Sequence, residues 1–321
     1  MAAWRTCSRP CRQPIGLPDW KQSSRVDTVR ELIATATAQL ADAGVASPRV
    51  DAALLAEYVF GIPALEVGLA DTPQDAALVA RYQELVARRA RREPLQHILG
   101  RAHFYGLELT VGSGVFIPRP ETEQLAEIAI QATRDAIARG VEHPIVVDAC
   151  AGSGALGLAI AREVPAARVI AIEMYPQAVE FLRANVGAID PRVEIIQSDA
   201  TRMEVLESKL DQPGCVDVFV SNPPYVPTGH ATDSETRADP LAAVFAADTG
   251  MAVIKPMARV AAHWLAPGGF FGVEHDETTQ SRVTQAVSAT KAFTNIQERH
   301  DLAGRPRFVT ATRMKAGRSA T

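Results

Sequence analysis

Apolar positions recur at helical spacing through the first third of the chain. Thr28-x-x-Glu31 can form a capping box, and Val29, Leu32, Ile33, Ala36 and Leu40 fall on one face before Gly44, which predicts a first helix. Ser47-Pro48 starts a second helix with proline at its first position; Leu54, Leu55, Tyr58 and Val59 are expected to point inward, and Gly61 ends it. Thr72-Pro73 opens a third, with Leu78, Tyr82, Leu85 and Val86 at spacings of three and four. Short helices with apolar stripes must bury them against one another, so residues 26–94 are expected to form a small helical domain.

The run Arg88-Arg89-Ala90-Arg91-Arg92 closes that third helix, where positive charge suits the C-terminal end of the dipole. It reads either as a solvated helix end or as a docking surface for RNA or an acidic partner. Between Leu95 and Pro118 the chain turns to glycine-punctuated aromatic and β-branched residues, Phe104-Tyr105-Gly106-Leu107 and Val111 to Ile117, which predicts a β-hairpin linker within 95–120.

From Val141 short apolar runs alternate with helical patterns. The runs are Ile145–Val147, Val169–Ile172, Val193–Ile196, Val216–Val220 and Phe270–Val273. Such alternation implies an α/β domain over 121–321, with a mostly parallel sheet covered on both faces. Two further runs, Asn295–His300 and Phe308–Thr312, are joined too closely for a crossover helix, so the last strand is expected to be antiparallel.

Composition narrows the class. A chain of 321 residues, 47% hydrophobic, can bury one large core and a smaller one. A formal net charge of -4 gives no global attraction to nucleic acid or an anionic membrane. No apolar run is long enough to span a bilayer, and residues 1–25 lack a secretory apolar core; that stretch is expected to be a disordered extension and the protein cytoplasmic. Cys7, Cys11, Cys150 and Cys215 lack zinc-site spacing and are expected to be free thiols, and the seven histidines form no ligand pattern.

Three features carry chemistry. The first strand runs through Asp148 into Cys150-Ala151-Gly152-Ser153-Gly154 and then a helical pattern; glycines there let a nucleoside-bearing cofactor lie against the backbone. A structural turn would read the same. Glu173 ends the second strand, where a carboxylate can accept from both ribose hydroxyls, and Asp199 after the third strand is placed to meet an adenine amino group. The third feature is Asn222-Pro223-Pro224-Tyr225 at the end of the fourth strand. Two prolines stiffen the loop and remove N–H donors, so carbonyls and the Asn222 side-chain oxygen can accept both N–H bonds of a planar NH2 group, with Tyr225 against its flat face.

These segments resemble the HemK-like protein-(glutamine-N5) methyltransferases that modify peptide chain release factors. The resemblance covers nearly everything after the N-terminal extension. It is carried by Glu93-Pro94-Leu95-Gln96-His97-Ile98-Leu99-Gly100, Phe104-Tyr105-Gly106 and Ile117-Pro118-Arg119-Pro120-Glu121-Thr122-Glu123. The glycine turn, the Asn-Pro-Pro-Tyr loop, Pro267-Gly268-Gly269 leading to Glu274, and Asp301-Leu302-Ala303-Gly304-Arg305-Pro306-Arg307 complete it. It implies a substrate-docking helical domain, a hairpin linker and a seven-stranded class I (Rossmann-like) methyltransferase domain. It also implies methyl transfer from S-adenosylmethionine to the glutamine of a Gly-Gly-Gln motif in release factors; from the charge and the absence of a spanning apolar run, no nucleic-acid substrate and no membrane are expected. Cys150 to Gly154, Glu173, Ala200 and Asn222 would then contact the cofactor, and Asn222 to Tyr225 the glutamine.

The chain departs from the family pattern in three places. Cys150 stands where the glycine turn usually begins with glycine, Ala200 replaces a frequent aromatic residue, and after Glu274 the usual glutamine is displaced, with Thr279 in its place and Gln280 one residue later. That last shift reads as a small insertion or a helix start. The same loop would also suit an exocyclic base nitrogen or a ribosomal-protein glutamine, whereas a non-catalytic binding module would require a disrupted loop or turn. The net charge and the lack of a basic, aromatic-rich recognition domain speak against a nucleic-acid substrate.

Overall fold

The computed structural model describes residues 28–66, 75–227, 240 and 245–315. The expectation for residues 1–25, and with it Cys7 and Cys11, lies outside the described residues. Two compact units divide between Ala87 and Arg88.

The first unit contains α1 (Val29–Asp42), α2 (Pro48–Phe60) and most of α3 (Ala76–Ala90). Thr28 and Glu31 form the capping box, and the predicted face of α1 is buried. α2 is rotated from expectation: Asp51, Ala52, Leu55 and Ala56 are buried, while Tyr58 is 46% exposed and Leu54 and Val59 only half-buried. α2 packs mainly on α1, and Tyr82 of α3 reaches it through its hydroxyl, which donates to Ala52 O at 3.0 Å and so satisfies its buried polar tip. Ser47 makes no side-chain cap bond. On α3, Tyr82, Leu85 and Val86 are buried but Leu78 is exposed, and Thr72-Pro73 lies outside the described residues.

In the second unit the basic run is not simply a solvated end. Arg89 is 4% exposed and donates to Glu93 O at 3.1 Å, and Arg88 forms a two-pronged pair with the Glu93 carboxylate. A short helix, α4 (Leu95–Leu99), follows and was not anticipated. The hairpin then pairs β1 (Arg101–Phe104) with β2 (Leu107–Thr110). Its two-residue turn, Tyr105-Gly106, has both φ values positive (47° and 71°), the type I′ geometry that matches strand twist. The second arm is therefore Leu107–Thr110, and Val111–Ile117 is irregular, with Val111, Val115 and Ile117 buried.

The remainder runs α5 (Thr122–Ala138), β3 (Ile145–Ala149), α6 (Ala155–Glu163), β4 (Arg168–Glu173), α7 (Pro176–Ile189), β5 (Glu194–Gln197) and β6 (Val216–Ser221). After a short unpredicted pair, β7 (Val226–Pro227) with β8 (Phe245–Ala246), come α8 (Ala247–Gly250), α9 (Ile254–Trp264), β9 (Leu265–Glu274), α10 (Gln280–Ala289), β10 (Phe293–His300) and β11 (Pro306–Arg313). The seven-stranded sheet has the order β10-β11-β9-β6-β3-β4-β5. All its pairings are parallel except those of β11, which is antiparallel to both neighbours, as its short connection to β10 requires.

Apolar cores cover the two faces of the sheet, which explains why β3, β4 and β6 are buried almost throughout. From β3 the chain winds outward through β4 to β5, then returns to the other side of β3 as β6. Ligands in such sheets bind where the winding reverses, in the crevice outside the C-terminal ends of the strands, here those of β3 and β6.

Candidate active site

The two strand ends are level, with Ala149 opposite Ser221, and the Ser221 hydroxyl donates to Ala149 O at 2.6 Å. Beyond them lies a cavity of about 770 Å³. Cys150 to Ser153, Glu173, Asp199, Ala200 and Asn222 to Tyr225 all line it. Gly154 does not. At φ 88° it caps α6, and a Cβ there would come within 2.7 Å of the Leu182 side chain, so its glycine serves helix packing.

Gly152 has φ 56° and open space where a Cβ would stand, which leaves the backbone accessible from the cavity. Cys150 takes φ 60° without being glycine, a conformation that costs about 1–2 kcal/mol for an L residue. Its thiol is held protonated, pushed up by burial and by the charge of Glu173.

Glu173 is buried and does more than end β4. Its Oε2 accepts from Gly152 N at 2.8 Å, and its Oε1 accepts from Met174 N at 2.8 Å and Tyr175 N at 2.9 Å. Three of about four acceptor positions on a carboxylate are thus used by the backbone, leaving roughly one for a ribose hydroxyl. Asp199 Oδ1 accepts from the backbone and hydroxyl of Thr201, which fixes the carboxylate at the cavity wall. Asp148, fully buried behind the turn, accepts from Gly157 N at 2.8 Å through Oδ2, while Oδ1 has no hydrogen-bond partner. Burial raises its pKa to about 7, with the Glu173 charge adding to the shift. These residues fit an adenosine-bearing cofactor: an approachable backbone at Gly152, carboxylates at Glu173 and Asp199, and an unpartnered buried carboxyl oxygen at Asp148.

On the other side of the cavity the Asn222-Pro223-Pro224-Tyr225 loop is held at both ends. Asn222 Nδ2 donates to Thr122 Oγ1 at 3.1 Å, Thr122 Oγ1 donates to Glu274 Oε2 at 2.7 Å, and Tyr225 Oη donates to Glu274 Oε1 at 2.7 Å. Burial raises the pKa of Glu274, and burial together with that carboxylate keeps the Tyr225 phenol protonated. Gly250 at φ 86° passes so close to the loop that a Cβ would lie 2.2 Å from Tyr225 O. Thr122 and Glu274 stand in segments that the resemblance brings out, but no spacing rule joins positions so far apart, and nothing local marks Gly250. Gln280 opens α10 with Thr279 before it, so the displaced glutamine is a helix start.

Among the described residues no cluster of His, Cys, Asp or Glu could hold a metal ion, and no helix is long and apolar enough to cross a membrane. Cys150 and Cys215 are free.

Sequence relatives put a chain with this sheet and this crevice in the class of S-adenosylmethionine-dependent methyltransferases. Residues 31–100 match the family described as PrmC N-terminal domain, and residues 102–237 match one described as Conserved hypothetical protein 95. A release factor glutamine methyltransferase of Mycolicibacterium smegmatis is 49% identical over 89% of this chain and 98% of its own length. One of Streptomyces coelicolor is 44% identical over 87% and 96%. A 4-amino-L-phenylalanine/4-methylamino-L-phenylalanine methyltransferase of Streptomyces pristinaespiralis is 35% identical over 85% and 91%. The chain belongs to the release factor glutamine methyltransferase family.

Proposed function

We propose that this enzyme methylates the side-chain amide nitrogen of the glutamine in the Gly-Gly-Gln motif of peptide chain release factors. The observation that carries the reading is the rigid Asn222-Pro223-Pro224-Tyr225 loop, set across one cavity from the glycine turn and Glu173. An amide nitrogen is a poor nucleophile because its lone pair is delocalised. Accepting both of its protons and aiming it at the donor raises the rate by orientation and by stabilising charge as it develops.

Bound S-adenosylmethionine supplies a sulfonium methyl group; its transfer leaves a thioether and an N-methylated amide, with one amide proton released. Asn222 Oδ1 and a proline-loop carbonyl accept the two N–H bonds, and Tyr225, its hydroxyl tied to Glu274, presents a fixed ring to the flat face of the amide. Cys150, Ala151, Gly152, Ser153, Glu173, Asp199 and Ala200 hold the donor. Residues 26–94 dock the protein substrate and 95–120 link them to the catalytic domain. The substrate places the enzyme in the cytoplasm, where translation terminates.

The test is methyl transfer from labelled S-adenosylmethionine to a recombinant bacterial release factor and to its Gly-Gly-Ala variant. Label on the first alone supports both substrate and site. Label on neither, with transfer to 4-amino-L-phenylalanine, nucleic acid or a ribosomal protein, moves the acceptor elsewhere and keeps the chemistry.

A further inference from the structure

We propose that Thr122 and Glu274 are positioning residues that decide which end of the Asn222 side-chain amide faces the acceptor. The inference rests on the reading of Asn222 as the residue that accepts from the substrate amide. An asparagine side chain presents an acceptor on one side and two donors on the other, and the two are nearly the same shape. Only one orientation can receive an N–H. The other would set NH2 against NH2.

The choice is made two residues away. Glu274, 1% exposed at the end of β9, receives a hydroxyl on each oxygen, Thr122 on Oε2 and Tyr225 on Oε1. Two donors on two oxygens are the pattern of an ionised carboxylate, which has no proton to give back. Thr122 has one hydroxyl proton, and it is committed to Glu274. Its oxygen can therefore only accept, so the Asn222 atom 3.1 Å away must be Nδ2, and Oδ1 is left for the acceptor. A flipped Asn222 would bring Oδ1 against an oxygen that has no proton for it, losing one hydrogen bond and opposing lone pairs.

Among the groups facing Glu274, burial and the neighbouring Glu121 raise its pKa, while the hydroxyl donors Thr122 and Tyr225 and the charge of Arg307 from β11 favour the ionised form. Thr122 is brought into line as the first residue of α5, with its own N–H donating to Arg119 O.

A double-mutant cycle tests the proposal. Turnover is measured in single-turnover methyl transfer to release factor with both substrates saturating, alongside the cofactor Kd, for Thr122→Val, Thr122→Ser, Asn222→Ala and Thr122→Val/Asn222→Ala. Thr122→Val is expected to slow transfer about tenfold, the loss of one directed hydrogen bond, with the cofactor Kd unchanged and Thr122→Ser restoring the rate. In the Asn222→Ala background the valine should cost nothing further, because no amide remains to orient. An equal loss in both backgrounds, or full turnover in Thr122→Val, overturns the proposal. Should Thr122→Val fail to fold, Thr122→Ala replaces it in the same cycle with the same expectations. Full turnover in Asn222→Ala alone would instead overturn the underlying assignment of Asn222.

Discussion

The backbone N–H of Gly152 donates to Glu173 Oε2 at 2.8 Å, so the glycine turn after β3 is held by the carboxylate at the end of β4. Glu173→Ala should therefore weaken cofactor binding twice over, through a lost ribose acceptor and a loosened turn. The expected rise in Kd is on the order of tenfold to a hundredfold, with turnover at saturating cofactor nearly kept. Glu173→Gln should not rescue it, because its NH2 would face a backbone N–H. Titration calorimetry with S-adenosylmethionine checks both variants, and a wild-type Kd in either would remove Glu173 from the cofactor site.

Asn222→Ala should lose methyl transfer by on the order of a hundredfold or more while cofactor binding stays near the wild-type value, since the amide acts on the acceptor in the transition state. Calorimetry and single-turnover rates on the same preparation separate the two effects.

Asp148 ties stability to pH. Its carboxyl, raised by burial from 3.8 to about 7, holds its proton in the folded chain while the unfolded chain has already released it. Stability from this group is thus full below about pH 4 and falls as pH rises through about 7. Asp148→Asn keeps the acceptor for Gly157 N–H and removes the ionisation. It should leave stability unchanged near pH 4 and raise it at pH 8 by up to about 4 kcal/mol. Denaturant unfolding without cofactor at the two pH values reads this directly. An equal change at both would mean the buried carboxyl does not titrate in this range.

Asn185 joins the hairpin to the glycine turn. Its buried side chain accepts from Thr110 N at 2.7 Å and donates to Thr110 O at 3.0 Å, both half-buried bonds, and to Ser153 O at 2.9 Å in a fully buried one. Asn185→Leu would take this donor from the buried Ser153 O and hand the Thr110 backbone to water, at a cost of about 1–3 kcal/mol. Faster hydrogen exchange at the Thr110 amide should accompany the lower unfolding free energy.

Gly250→Ala should damage the acceptor side alone. The left-handed backbone and the 2.2 Å approach to Tyr225 O leave no room for a Cβ, so the end of the Asn-Pro-Pro-Tyr loop must shift. A stability loss of about 2 kcal/mol and a fall in turnover of tenfold or more are expected, with cofactor affinity preserved. A weakened cofactor Kd would show that Gly250 supports the donor side as well.

The sequence by itself determined what depends on neighbours along the chain. The Thr28–Glu31 capping box and the buried face of α1 follow from residues within a few positions. So do the apolar strand runs, the glycine turn at Gly152 and the proline-stiffened loop at Asn222. The reversed last strand was legible because a short connection allows only one direction.

Tertiary structure decided what depends on surfaces meeting. The buried face of α2, with Asp51, Ala52, Leu55 and Ala56, was set by its packing on α1 and not by its own hydrophobic count, and Tyr58 is outside. Arg89 is buried and donates to Glu93 O, and the second hairpin arm stops at Thr110, where Asn185 takes over its backbone bonds. Thr122 meets Asn222 across 100 positions and Glu274 across 152. No periodicity or motif spacing encodes such distances. They arise because winding the sheet outward from β3 in both directions brings the end of β6 beside that of β9, under the first turn of α5.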